Sequence, residues 1–152
     1  MPIIKSISGI RGTIGGPLDD SLNPPNIMSF TCAYAQFIKS KNKDNKKLSV
    51  IVGRDSRVSG EQVKNIVVGS FLSMGLDVID LGMSSTPTVE MAVISQKAQG
   101  GIIISASHNP GGWNALKMLD NKGEFLTKES GQEVLLISEN NKYNFVNENE
   151  VD

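Results

Sequence analysis

Cysteine, histidine and tryptophan are nearly missing from this chain: each occurs once in 152 residues. A single thiol, Cys32, cannot close an intrachain disulfide, and it fits a reducing compartment. It lies in an apolar helical pattern, where a thiol packs as a small hydrophobe. A single imidazole, His108, has no second His or Cys at a ligand spacing, which argues against a zinc-type centre. Charge of one sign is lacking too. With 15 basic and 16 acidic residues the net charge is −1, so no global field favours nucleic acid or a membrane surface. No apolar run is long enough to span a bilayer, and no basic segment followed by an apolar one opens the chain. The expectation is a cytoplasmic protein without nucleic-acid or membrane partners. Its length and its 39% hydrophobic residues suit one ordinary globular core.

What is present is concentrated in residues 100–117, GGIIISASHNPGGWNALK. Three consecutive isoleucines, 102–104, read as a strand buried on both faces. The chain then turns polar at once through Ser105, Ser107, His108 and Asn109. Pro110, Gly111 and Gly112 follow, a combination that forces a turn and lets backbone approach a ligand. Ala115 and Leu116 resume an apolar run interrupted by Lys117. A buried strand thus delivers a hydroxyl, an imidazole and an amide to one rim, and the returning segment brings a lysine toward them. A buried hairpin whose loop is incidentally polar has the same composition, and both readings stand at this point. Neighbouring residues tend to point opposite ways, so His108 is badly placed to deprotonate Ser107. The serine needs another route to reactivity, and a covalently carried group is one.

Two further loops hold unusual residues. Residues 1–16 begin with a short alternating apolar segment and end in a glycine-rich loop (Gly9, Gly12, Gly15, Gly16). Arg11 is its one guanidinium, readable as a surface charge or as a bidentate phosphate ligand. The second loop, Gly53-Arg54-Asp55-Ser56-Arg57-Val58-Ser59-Gly60, follows a buried strand over 48–52. Two arginines and an aspartate there make either an anion site or a salt-bridged loop. The lysine-rich segment 39–47 reads as a solvated connection diluted by Asp44.

The remaining pattern alternates strands with helices. Asn23 caps a helix begun by Pro24, with a stripe of Ile27, Phe30, Tyr34, Phe37 and Ile38. Ser59 and Gln62 form a capping box for a second helix that Gly75 stops. A strand over 76–81 follows, then a short helix capped at Thr86-Pro87. A last strand spans 115–119, and Thr127 with Ser130 caps a final helix. The predicted fold is three-layer α/β/α around a four-stranded mixed sheet. Numbering its strands from 48–52 onward, the order is 2-1-3-4, and the short 104–115 connection makes the last strand antiparallel. The switch point then falls between strands one and three, so the loops 53–59 and 105–112 meet there, where ligands bind in such sheets. Residues 1–138 form one domain, and 139–152 form a linker-like tail.

These loops together resemble the α-D-phosphohexomutases, the family of phosphoglucomutase, phosphomannomutase and phosphoglucosamine mutase. Ser105-Ala106-Ser107-His108-Asn109-Pro110 with Asn114-Ala115-Leu116-Lys117 is similar to their phosphoserine loop. Gly9-Ile10-Arg11-Gly12 is similar to their N-terminal arginine motif. The 53–60 stretch and Ser85-Thr86-Pro87 match two more segments, in the family order. Two departures stand out: Ser8 and Gly9 replace the usual acidic residue before the arginine motif, and Ala115 replaces a glycine.

The resemblance implies the first domain of an enzyme that interconverts hexose 1- and 6-phosphates through a phosphoserine and a hexose 1,6-bisphosphate intermediate. Ser107 is then the phosphate carrier, with Lys117, Arg11 and His108 catalytic. Asn109, Gly12, Arg57 and Asp55 belong to the substrate and phosphate loops. Magnesium is the implied cofactor, with the Ser107 phosphate as one ligand and the others absent from this chain. The implied partners are the hexose-phosphate substrate and the enzyme's C-terminal domains, without which this domain is expected to be inactive. Phosphoglucomutase/phosphomannomutase is the leading subtype and phosphoglucosamine mutase the alternative. A non-catalytic phosphosugar-binding module is the reading from another class; no glycine-rich strand-to-helix fingerprint supports a nucleotide-binding domain.

Overall fold

The computed structural model describes residues 3–6, 9–44, 47–107 and 109–150. His108, a candidate above, lies outside the described residues. In chain order the elements are β1 (Ile4–Ser6), β2 (Gly9–Thr13), α1 (Pro24–Lys41), β3 (Ser49–Arg54), α2 (Gly60–Ser73), β4 (Asp77–Met83), α3 (Thr86–Ser95), β5 (Gly100–Ile104), β6 (Trp113–Leu119) and α4 (Lys128–Glu139), then a 3-10 turn at Glu148–Glu150. The strands form one mixed sheet in the order β1-β2-β6-β5-β3-β4.

The expected 2-1-3-4 core is present as β4-β3-β5-β6, with β3 parallel to both β4 and β5. The expected reversal holds as well, since β5 and β6 run antiparallel. The strand number is corrected from four to six. The glycines of residues 9–13 suggest loop, yet these residues pair antiparallel with β6, Ile10 opposite Leu116 and Arg11 opposite Ala115. An unpaired β6 edge would leave a row of backbone groups without partners, and β2 supplies them. β1 adds one more antiparallel strand outside β2. Gly12 fits because a side chain there would meet the Leu22 backbone nitrogen at 3.2 Å.

Three helices cover one face. The side chains of α1, α2 and α4 pack with Val50, Val52, Ile102, Ile104, Leu116 and Met118 in the main core. On the other face α3 brings Val89 and Val93 against Ile51, Ile103 and Leu119. Helix starts follow the sequence with two shifts. Asn23 accepts from the Asn26 amide at 3.0 Å, and Thr127 accepts from the Ser130 amide at 3.1 Å, as expected. The cap of α3 is Ser85, one residue before Thr86. Ser59 makes no side-chain cap bond; its hydroxyl instead accepts from the buried Asn114 amide at 2.9 Å. That tertiary partner displaces the expected capping box. Gly75, at φ 84°, ends the α2 segment. Beyond α4 the tail returns to the body, where the Val146 amide donates to the Ser73 carbonyl at 2.9 Å.

Candidate functional site

The loop between β5 and β6 carries Ser107 at the open end of a fully buried strand. Ser107 is exposed and holds φ 51°, a left-handed backbone that a non-glycine residue adopts at a cost. The loop is pinned from several sides. The Ser105 amide donates to the Ala115 carbonyl at 3.2 Å, the Asn109 amide to Ala106 at 3.0 Å, and the Ile14 amide to Gly112 at 2.8 Å. Beneath it Ala106, Trp113 and Ala115 form a small apolar cluster. The Ser107 amide itself points to the Ser105 hydroxyl at 3.3 Å.

Register decides what faces the serine. On β6, Trp113, Ala115 and Lys117 alternate onto one face, and Arg11 of β2 sits opposite Ala115 on that same face. Helix α3 packs on β3 and β5 of this face; farther along it, on β6 and β2, stand Lys117 and Arg11, both half-buried. The Lys117 Nζ donates to the Ser107 Oγ at 2.5 Å. Burial lowers the Lys117 pKa below its usual 10.5, and the neighbouring Arg11 charge lowers it further, while Asp55 pulls it the other way. The fold therefore sets Lys117 against Ser107, with Arg11 on the same sheet face and near enough for its charge to act on Lys117.

The 53–60 loop turns out to be built around Arg57. Its Nη1 donates to the carbonyls of Pro110 at 2.6 Å and Trp113 at 3.1 Å. Its Nη2 donates to those of Ser107 at 2.9 Å and Asn109 at 2.6 Å. Its Nε lies 3.4 Å from Asp55 Oδ2, and its backbone amide donates to Asp55 Oδ1 at 3.1 Å. Arg54 turns away and donates to the Asp55 carbonyl at 3.2 Å. Of the two alternatives for this loop, an anion site or a salt-bridged loop, the geometry of Arg57 and Asp55 is the second.

Other candidates are placed as follows. Asn109 is half-buried and contributes its carbonyl to Arg57. Gly12 looks toward Leu22, on the face opposite Arg11. Asn114, part of the resembling segment but given no role by the sequence, is fully buried and joins the start of β6 to the start of α2 through Ser59. A polar residue inside the buried β6 run gives no signal of which distant partner it meets. Among the described residues no three His, Cys, Asp or Glu side chains stand close enough to share a metal ion. No helix among them is long and apolar enough to cross a membrane.

Comparison with known proteins follows the same lines. The family model described as phosphoglucomutase/phosphomannomutase, alpha/beta/alpha domain I, matches residues 3–145. A phosphoglucomutase/phosphomannomutase of Thermococcus kodakarensis is 38% identical over 78% of this chain and 26% of its own length. A phosphoglucosamine mutase of Leuconostoc mesenteroides is 43% identical over 61% of this chain and 20% of its own. A phosphoglucomutase/phosphomannomutase family protein of Burkholderia thailandensis has the same fold, with a TM-score of 0.77 at 24% identity over 93% of this chain and 32% of that one. The chain therefore spans between a fifth and a third of the length of these relatives.

Proposed function

The chain belongs to the phosphoglucomutase/phosphomannomutase family as its α/β/α domain I, and from that premise we propose that it is the phosphoserine-bearing domain of a phosphohexomutase. In this reading Ser107 Oγ carries a phosphoryl group. It passes the group to the free hydroxyl of a hexose 1- or 6-phosphate, and the phosphoryl at the other end of the resulting bisphosphate returns to the serine. Phosphoglucomutase/phosphomannomutase is the leading subtype.

The observation that carries this reading is the Lys117 amine 2.5 Å from an exposed serine hydroxyl at a strand terminus. A phosphoserine adds about −1.5 to −2 charges, and catalysis of phosphoryl transfer rests on positioning and on cations that offset that charge. Lys117 and Arg11 supply two cations on one sheet face. When the hydroxyl is free, the Lys117 amine donates to Ser107 Oγ and holds it in place. When the serine is phosphorylated, the same amine, protonated, holds the group. His108 and Asn109 orient the loop around it.

Magnesium, which the resemblance implies, finds no complete site in this chain. Asp55, the carboxylate beside the loop, is engaged with Arg57, and no cluster of metal-ligating side chains lies among the described residues. An ion here would need ligands from outside them, so no step is routed through it. Cys32, buried as a free thiol, suits a reducing, cytoplasmic setting.

The experiment is a chimaera in which this chain replaces the matching segment of the Thermococcus kodakarensis relative. It should turn over glucose 1-phosphate and show one phosphoryl group on Ser107 by peptide mass mapping. Ser107→Ala should cut turnover by roughly 10³-fold or more and abolish the phosphopeptide. A chimaera whose Ser107→Ala form keeps near-normal turnover would reject Ser107 as the carrier.

A further inference from the structure

The guanidinium of Arg57 has five N–H donors in a planar fork and no acceptor. Five acceptors surround it: four loop carbonyls through Nη1 and Nη2, and the Asp55 carboxylate at Nε. The Nη donors are taken by the loop and Nε faces the carboxylate, so none is directed at a phosphate. The side chain is only 14% exposed, so a ligand could reach it only by displacing the loop. Three of the carbonyls, those of Ser107, Asn109 and Pro110, belong to the irregular chain between β5 and β6, and the fourth is that of Trp113, the first residue of β6. Ser107 is the residue with the left-handed backbone.

We propose that Arg57 is a positioning residue: by gathering these four carbonyls it fixes the serine loop in the backbone conformation that aims Ser107 Oγ at Lys117. Asp55 is the second half of the device. Its two carboxylate oxygens accept from the Arg57 backbone amide and face its Nε, which holds both ends of the arginine in one pose. Lysine cannot substitute. Its ammonium has three donors on a flexible stem and cannot span four carbonyls in a plane. The arginine therefore acts on the reaction through the serine and not through the sugar phosphate. This role rests on the carrier reading above for its purpose, but not for its geometry.

The test uses the 152-residue chain and NMR. In the unmodified protein the Arg57 Hη protons should exchange slowly and show scalar couplings to the carbonyl carbons of Ser107, Asn109, Pro110 and Trp113. The Ser107 amide should show the short HN–Hα distance of a positive φ. In Arg57→Lys and Arg57→Met, Ser107 should lose that signature. Contacts between the Ser107 β protons and the Lys117 ε protons should be present in the parent and lost in Arg57→Met, because the hydroxyl no longer reaches the amine. Freely exchanging Hη protons, or a Ser107 backbone and Ser107–Lys117 contact unchanged in both variants, would overturn the proposal. The Hη measurement needs no variant, so a substitution that unfolds the chain does not remove the test. A chain that passes these tests while the chimaera keeps turnover without Ser107 would sink the carrier reading and leave the clamp standing.

Discussion

Ser107 combines two features that a serine does not need for packing: an exposed hydroxyl against an amine and a left-handed backbone. The second has a measurable cost. A non-glycine residue in this region is strained by about 1–3 kcal/mol, and glycine is not. Ser107→Gly and Ser107→Ala both delete the hydroxyl, but the glycine form should be more stable by about 1 kcal/mol in urea unfolding, after the entropy glycine returns to the unfolded chain. Equal stabilities would place no strain at this residue. Lys117 gives a pH prediction. Its folded pKa is lowered by burial and by Arg11, so between that value and 10.5 the unfolded chain binds more protons than the folded one. Stability then rises with pH through this window, and the penalty of a charged, half-buried amine is fully present below it. Lys117→Met should raise the melting temperature at neutral pH, with the gain shrinking as the pH climbs toward 10.5. A gain that grows with pH would contradict the burial cause. The sequence made Ser107, Lys117 and Arg11 legible because each is a polar exception in an apolar or glycine-rich run. Arg57 was legible as a charge but not as a clamp, since its acceptors are carbonyls 50 to 56 residues away.

At the scale of elements, α1 and the β5–β6 hairpin are locked by one side chain. Tyr34, fully buried, accepts from the Gly101 amide at 2.9 Å and sets its hydroxyl against the carbonyls of Gly101 and Leu119. Burial raises the pKa of this phenol far above the usual range. Gly100 is glycine because a side chain there would collide with the Tyr34 hydroxyl. Tyr34→Phe should cost about 1–3 kcal/mol by leaving buried backbone groups unpaired. Gly100→Ala should cost a similar amount through overpacking. Together they should cost less than their sum, because removing the oxygen opens the space the methyl needs. Additive losses in thermal or urea melts would break this account. None of it was visible in the chain, where Tyr34 read as one member of an apolar stripe and Gly100 as a lead-in to a strand. The helices themselves were legible from their 3.6-residue spacing. The edge strands β1 and β2 were not, because glycines hid a short segment whose stability comes from pairing with β6.

For the whole molecule, the tail touches the body at Val146. Val146 fits so closely over Gly75 that a side chain at 75 would meet its Cγ1 at 2.8 Å, and its amide bonds to Ser73. Val146→Asp should therefore lower stability by about 1 kcal/mol or more, since it exchanges a half-buried apolar contact for a charge; an unchanged melting temperature would mean that residues 139–152 act as a free linker. The helices α1, α2 and α4 close one face of the sheet, and α3 covers only part of the other. The remainder of that face, on β6 and β2, is where the candidate chemistry stands.

By itself the sequence determined the alternation of helix and strand, the order and reversal of the four central strands, and the polar rim that resembles a phosphoserine loop. The elements follow from local period, turn residues and connection length, and their order from the right-handed crossovers that strand-helix-strand connections adopt. The tertiary structure alone decided that β2 completes the sheet, that Arg11 and Lys117 share a face, and that Arg57 serves backbone carbonyls. Those outcomes depend on register between segments far apart in sequence, where a shift of one residue sends every side chain to the opposite face.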